Sequence, residues 1–344
     1  MKKIVLLLII AFAFSSASCT AKLGQTNLEN GKRLFDQEDY DGAIRELTAA
    51  ISLNNNLAEA YAYRARSYNG KNNYDQALSD ANKTIQLNPK LAMGYFARGA
   101  AYFNKKDYDR AIAEYTEAIK LDPKFARAYS NRGIAYGYKD DYDRAIADFT
   151  DAIRLDSQFS YAYYSRGNVY YVKDDYDRAI VDYTEAIRLD PDYAMGYFFR
   201  GTAYYKKENY DLAIADYTQI LRLNPNDEQI YKFRGDLYAD KGDYDRAIAD
   251  YTQAIQLDPD FEAAYHWRGL AYADKGDYDR AIADHTQAIR LDPNDFLAYN
   301  YCAFAYMQKG NFTQARTDVN KSLQLDPNYQ RAKDFDAELK QKGY

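Results

Sequence analysis

The chain is poor in the residues that usually staple or catalyse. Its 344 residues include two cysteines, two histidines and one tryptophan. Cys19 and Cys302 are far too few for a disulfide framework, so stability has to come from packing. There is no block of lysine or arginine, and the net charge is −6. That charge excludes an electrostatic footprint for nucleic acid and recruitment to anionic lipid by charge. No glycine-rich phosphate loop and no nucleophile motif is present. The longest apolar run, Ile4 to Phe14, is too short to cross a hydrocarbon core about 30 Å thick as a helix rising ~1.5 Å per residue.

That run follows Met1, Lys2 and Lys3 and precedes Ser15-Ser16-Ala17-Ser18-Cys19. A charged head, a short apolar stretch and small residues at a junction predict a secretory signal over residues 1–18. Cys19 sits where bacterial lipoproteins carry the cysteine that is acylated after cleavage, and Ala17-Ser18-Cys19 resembles the end of a lipobox. Lipidation at Cys19 with a short linker to residue 23 is the expectation, giving a membrane anchor and an envelope or periplasmic location. Ser16 stands where a lipobox usually has leucine, so ordinary cleavage near Ser18 or Ala21 is the other reading.

What the chain has in excess is tyrosine, 38 residues of it, and a skew of that size points to one short pattern copied many times. Tyr40, Tyr74, Tyr108, Tyr142, Tyr176, Tyr210, Tyr244, Tyr278 and Phe312 follow one another every 34 residues without insertion, and all seven prolines fall in a single column. Nine units run from residue 24 to residue 329. In the third unit Tyr95, Gly99 and Tyr102 share one helical face, and Ala111, Tyr115 and Ala118 share another, so each unit contains two helices. The column of Asp107 is Asp or Asn throughout and reads as the N-cap of the second helix. Gly242, Gly276 and Gly310 end the first helix, and Pro123 and its column stop the second. Residues 330–344 read as a final amphipathic capping helix, with Ala332, Phe335 and Leu339 inward.

Tyr95, Gly99, Tyr102, Ala111, Tyr115 and Pro123 fall at the spacing of the tetratricopeptide pattern, and residues 24–329 resemble that family. Tyrosine replaces its tryptophan in eight units, Arg98 its leucine, and Ser157 one of its prolines. The resemblance implies an all-α solenoid, a right-handed superhelix of antiparallel helix pairs. It also implies a groove, lined by the first helices, that holds proteins or peptides. The lysine-asparagine-arginine clamp by which some members bind chaperone C-termini is missing, since Lys232 is followed one turn on by Asp236.

A residue that recurs in one column serves the repeat, so specific function is sought where columns vary. By that rule the tyrosine columns are packing, and the arginine column, Arg64 to Arg268, pairs with an acidic column, either Asp148, Asp182 and Asp216 or Asp122, Asp156 and Asp190. His266 and His285, even with Cys302, give no metal-ligand spacing, and no metal, cofactor or catalytic residue is expected. The variable first-helix positions are Phe96, Phe103, Tyr164, Tyr171, Phe198 and Tyr205, with Asn131 and Asn168 beside them. Two readings of these stand: a partner-binding site, or packing against the neighbouring unit. The function expected is an exported, tethered scaffold that binds partner proteins during envelope assembly. An enzyme or enzyme subunit acting on cell-wall polymer and a self-associating structural repeat are the alternatives.

Overall fold

The computed structural model describes residues 22–344. The expected signal segment and Cys19 lie outside the described residues. Those that are described form α-helices joined by short turns, with no strand among them. The chain divides into two compact units, one ending at Lys173 and the other running from Asp174 to Tyr344.

In the first unit α1 covers residues 22–36. It is followed by α2 (Tyr40–Leu53), α3 (Ala58–Gly70), α4 (Tyr74–Leu87), α5 (Ala92–Asn104), α6 (Tyr108–Leu121), α7 (Ala126–Gly137), α8 (Tyr142–Leu155) and α9 (Ser160–Val172). The second unit holds α10 (Tyr176–Leu189), α11 (Ala194–Lys206), α12 (Tyr210–Leu223), α13 (Glu228–Asp240), α14 (Tyr244–Leu257), α15 (Glu262–Asp274), α16 (Tyr278–Leu291), α17 (Phe296–Gln308), α18 (Phe312–Leu325) and α19 (Gln330–Gln341). None of these helices is long and apolar enough to cross a membrane.

Each even-numbered helix begins at the tyrosine or phenylalanine of the 34-residue register. Asp39, Asp107, Asp141, Asp175, Asp243, Asp277 and Asn311 cap these helices, their side chains accepting a hydrogen bond from a first-turn backbone N–H. Each such cap contributes about 1 kcal/mol. Asn73 and Asn209 occupy the same column but make no side-chain cap bond, a departure from the sequence expectation. The turn before the cap needs one residue in the left-handed region. Gly242, Gly276 and Gly310 supply it at φ 74–77°, whereas Glu38, Asn72, Lys106, Asp140, Asp174 and Glu208 adopt φ 57–62° despite their side chains.

Within a repeat the two helices meet at glycine. A Cβ on Gly99 would stand 2.8 Å from the Tyr115 ring, and one on Gly269 would stand 2.8 Å from the His285 ring, so no larger residue fits at either place. The second-helix alanines, among them Ala111, Ala145, Ala213 and Ala247, are fully buried.

The arginine column resolves the sequence alternatives. Arg132 on α7 donates from Nε and Nη2 to Asp148 on α8, both at 2.8 Å, and from Nη1 to Thr116 of the preceding repeat at 3.0 Å. Arg64, Arg200, Arg234 and Arg268 do the same with Asp80, Asp216, Asp250 and Asp284. Each is a bidentate pair that also ties one repeat to the next. Burial raises the Asp148 carboxyl above its ordinary range, and Arg132 opposes that rise. Arg98 bridges Glu114 and Asn82 instead. The other acidic column does a different job: Asp122, Asp156 and Asp190 accept the backbone N–H two residues on, closing the turn between repeats.

Candidate functional site

The variable first-helix columns become readable once the frame is in place. Ser130 and Gly137 on α7 lie in the columns of Phe96 and Phe103, and the next repeat returns to Tyr164 and Tyr171. Two large side chains are thus replaced by small ones between bulky neighbours. A Cβ on Gly137 would meet nothing within 4 Å. The space beside Gly137 is a cleft of about 430 Å³ lined by Ile134, Gly137, Tyr161, Tyr164, Asn168 and Val172, among others. A smaller cleft of about 210 Å³ adjoins it, sharing Ile134 and Tyr161 and lined also by Phe103 and Asn131.

The rim is apolar and open to solvent: Tyr138 is 63 % exposed, Val172 57 % and Tyr161 44 %. Tyr138 and Val172 replace Asn104, Lys206, Asp240, Asp274 and Gln308 of the same column. That break in a polar column is visible in the sequence itself. Burial, and then the neighbouring Tyr164 hydroxyl, raise the pKa of Tyr161. Burial also pushes up the Tyr115 hydroxyl, with the Asn131 side chain opposing through a hydrogen bond.

The six candidates of the first unit do not share one surface. Tyr164 and Asn168 line the larger cleft, and Phe103 and Asn131 the smaller one. Phe96 is 7 % exposed and belongs to the core, with its ring 4.8 Å from Phe125 and 5.7 Å from Tyr115. Tyr171 is half-buried and lines neither cleft. In the second unit Phe198 is half-buried against Tyr217 and Phe233, while Tyr205 is exposed.

After Phe198 the column of Phe96 turns polar, reading Lys232, His266 and Asn300. Lys232 pairs with Asp236 at 2.8 Å, and the Tyr251 hydroxyl donates to Asp236 at 2.9 Å. Burial raises the Asp236 carboxyl, and Lys232 opposes it. A cleft of about 360 Å³ is lined by Asp240, Trp267, Asp274, His285, Tyr301 and Arg331, among others. Next to it, ligand atoms of Glu262, His266 and Asp295 lie within 4.8 Å of one another. In the sequence the other histidine and the nearest cysteine, His285 and Cys302, give His266 no ligand spacing. Folding pairs it instead with two carboxylates, one from its own helix and one from the cap of α17. Burial lowers the pKa of His266, with Asp295 opposing and Lys232 reinforcing. Burial and the carboxylates of Asp295 and Asp292 raise that of Glu262.

Comparison with known families places repeat after repeat on this chain. A family model described as TPR repeat matches residues 101–140, 235–276 and 269–310. Models described as tetratricopeptide repeat match residues 28–92, 126–159, 160–193, 194–227 and 296–329. No curated protein matches the chain. Among solved structures, PilF of Pseudomonas aeruginosa is similar in fold, with TM-score 0.54 at 18% identity over 63% of this chain and 99% of PilF. YrrB, described as a TPR protein with an unusual peptide-binding site, has 29% identity over 54% of this chain and 95% of YrrB, with TM-score 0.49. MamA has 27% identity over 47% of this chain and 94% of MamA, with TM-score 0.45.

Proposed function

Because the chain belongs to the tetratricopeptide repeat family, we propose that it is a non-catalytic adaptor that holds an extended segment of a partner protein in the cleft at Gly137. The observation that carries this reading is the cleft itself. A rim of Tyr138, Tyr161 and Val172 stands open to solvent above a pocket in which Ser165 and Asn168 add a hydroxyl and an amide to the tyrosine walls. Rigid aromatic walls favour apolar anchor side chains, and an amide and a hydroxyl suit the polar backbone between them. Phe103 and Asn131 extend the same surface.

The N-terminal sequence supports export and tethering through an acylated Cys19, and with them a role in assembling the cell envelope. Mass spectrometry of the mature protein tests this part, since an unmodified terminus at Thr20 or Lys22 rejects the anchor.

The binding reading is tested with a photo-crosslinking phenylalanine at position 161, irradiated in an envelope fraction, with and without Gly137→Tyr. That substitution restores the bulk its column carries elsewhere, and the open space at Gly137 accepts it. The expected result is a partner adduct that disappears in Gly137→Tyr while the melting midpoint holds. Equal adducts in both proteins, or adducts to the chain itself alone, overturn the proposal; the second outcome favours self-association.

A further inference from the structure

One repeat junction in the second unit combines residues that no other junction brings together. Glu262 stands where five earlier units read Ala58, Ala92, Ala126, Ser160 and Ala194, and only Glu228 shares its charge. His266 stands in the column of Phe96, Tyr164 and Phe198, and Asp295 in that of Phe125, Phe159 and Phe261, where Asp227 is the other carboxylate. Glu228 has Lys232 one turn on and Phe261 at the next junction, so two carboxylates with an imidazole occur together only here.

Glu262 and His266 are four residues apart on α15, which sets them on one helical face. Asp295 is the N-cap of α17 and divides its two oxygens: Oδ1 accepts the Leu297 N–H at 2.8 Å, and Oδ2 lies 3.8 Å from His266 Nδ1. His266 is 8 % exposed, and its buried Nδ1 has no hydrogen-bond partner. A buried ring nitrogen without a partner is costly, and 3.8 Å is too long for a hydrogen bond to repair it. The spacing suits a shared cation instead. Metal–nitrogen and metal–oxygen bonds of about 2.0–2.2 Å set two ligands of one ion roughly 3–4 Å apart.

We propose that Glu262, His266 and Asp295 bind one Zn2+ ion, joining α15 to the N-terminus of α17 and leaving an open coordination position. One imidazole and two carboxylates form a mixed nitrogen and oxygen donor set, which a borderline ion takes and a hard ion such as Mg2+ does not select. The nearby Lys232 ammonium opposes a cation, but Asp236 already pairs with it at 2.8 Å. Asp292 contributes further negative charge at Glu262. The His285 ring, 5.5 Å from that of His266, packs against the site.

Calorimetric titration of chelator-treated full-length protein with ZnCl2 tests the proposal, with the visible absorption of a Co2+ substitute as a second readout. The variants are Glu262→Gln, which keeps the shape and removes the charge, and His266→Phe, which restores the residue type of the column. The expected result is one Zn2+ per chain, weakened at least about 100-fold in each variant, beyond the ~10–100-fold typical of losing an outer-shell partner. An excess of Mg2+ is expected to leave the isotherm unchanged. No saturable Zn2+ binding by the native chain overturns the proposal, and so does binding that persists unchanged in folded His266→Phe.

Discussion

The two units are built on one frame and differ in what they hang on it. In the first unit the column of Phe96 continues through Ser130 to Tyr164, which lines an apolar cleft beside Gly137. In the second it reads Phe198, Lys232, His266 and Asn300, and the result is a set of buried charges and an imidazole beside two carboxylates. The contacts that keep a repeat together run elsewhere, through the glycine–ring approach, the buried alanines and the arginine staples. First-helix columns are therefore free to change chemistry without changing the fold.

Phe96 marks the limit of that freedom and gives the largest expected effect. It is buried between repeats, so Phe96→Ala is expected to cost about 3–5 kcal/mol of stability. In the second unit the half-buried Phe198 is expected to cost less on truncation, about 2 kcal/mol for the smaller area removed. The exposed Tyr205, about 0.5 kcal/mol or less. Repeat arrays unfold in parts, so hydrogen exchange read repeat by repeat is the suitable measurement. An equal loss for all three would break the distinction between core and surface across these two first-helix columns.

The frame was legible in the sequence because each of its requirements is stated up to nine times. The register of Tyr40 to Phe312 marks the start of every even-numbered helix, and the arginine staples follow from one column facing another. The candidate site was legible only in part. Phe96 and Tyr205 look alike in sequence, but how deep each ring lies depends on neighbours such as Phe125, which a single column does not reveal. The cleft at Gly137 comes from a missing side chain in one repeat. Glu262 and Asp295 lie 33 residues apart and meet only across a repeat junction. Gly137 and His266 share one sequence signal, a break with the bulky residues of their columns.

The arginine staple supplies a second contrast between the units. Asp148 in the first has Arg132, whereas Asp318 in the second faces Cys302 in the arginine column, and its Oδ2 is buried without a hydrogen bond. Burial pushes the Asp318 carboxyl up to about 6 from an ordinary 3.8, with hydrogen bonds from Cys302 and Gln314 opposing. The native chain therefore binds this proton more tightly than the unfolded chain does. The stability it contributes is complete below about pH 4 and is lost as pH rises through about 6, a penalty on the order of 3 kcal/mol at pH 7. Asp318→Asn is expected to remove most of that penalty, raising the melting midpoint at pH 7 and leaving it nearly unchanged at pH 4. A gain independent of pH would show that charge burial is not the cause. Cys302→Arg is expected to act in the same direction by restoring the pair.

The smallest expected effect lies in the turns. The last three turns of the second unit place glycine in the left-handed region, while the first unit places Glu38, Asn72, Lys106 and Asp140 there. Gly242→Ala adds a Cβ at φ 76° and is expected to cost about 1 kcal/mol. The reverse change is not symmetrical, because glycine also loosens the unfolded chain. Asn72 and Asp140 accept the hydroxyls of Tyr74 and Tyr142, each at 2.8 Å, so replacing them with glycine forfeits a hydrogen bond and is expected to gain nothing. Lys106 has no acceptor to offer in that way. Lys106→Gly is therefore the variant expected to gain, by about 0.5 kcal/mol. Chemical denaturation of the three variants side by side gives the order Lys106→Gly above the native chain, Asp140→Gly at or below it, and Gly242→Ala lowest. If Gly242→Ala matched the native chain, backbone conformation would not be what separates these turns, and the side-chain hydrogen bonds of the first unit would have to account for the difference alone.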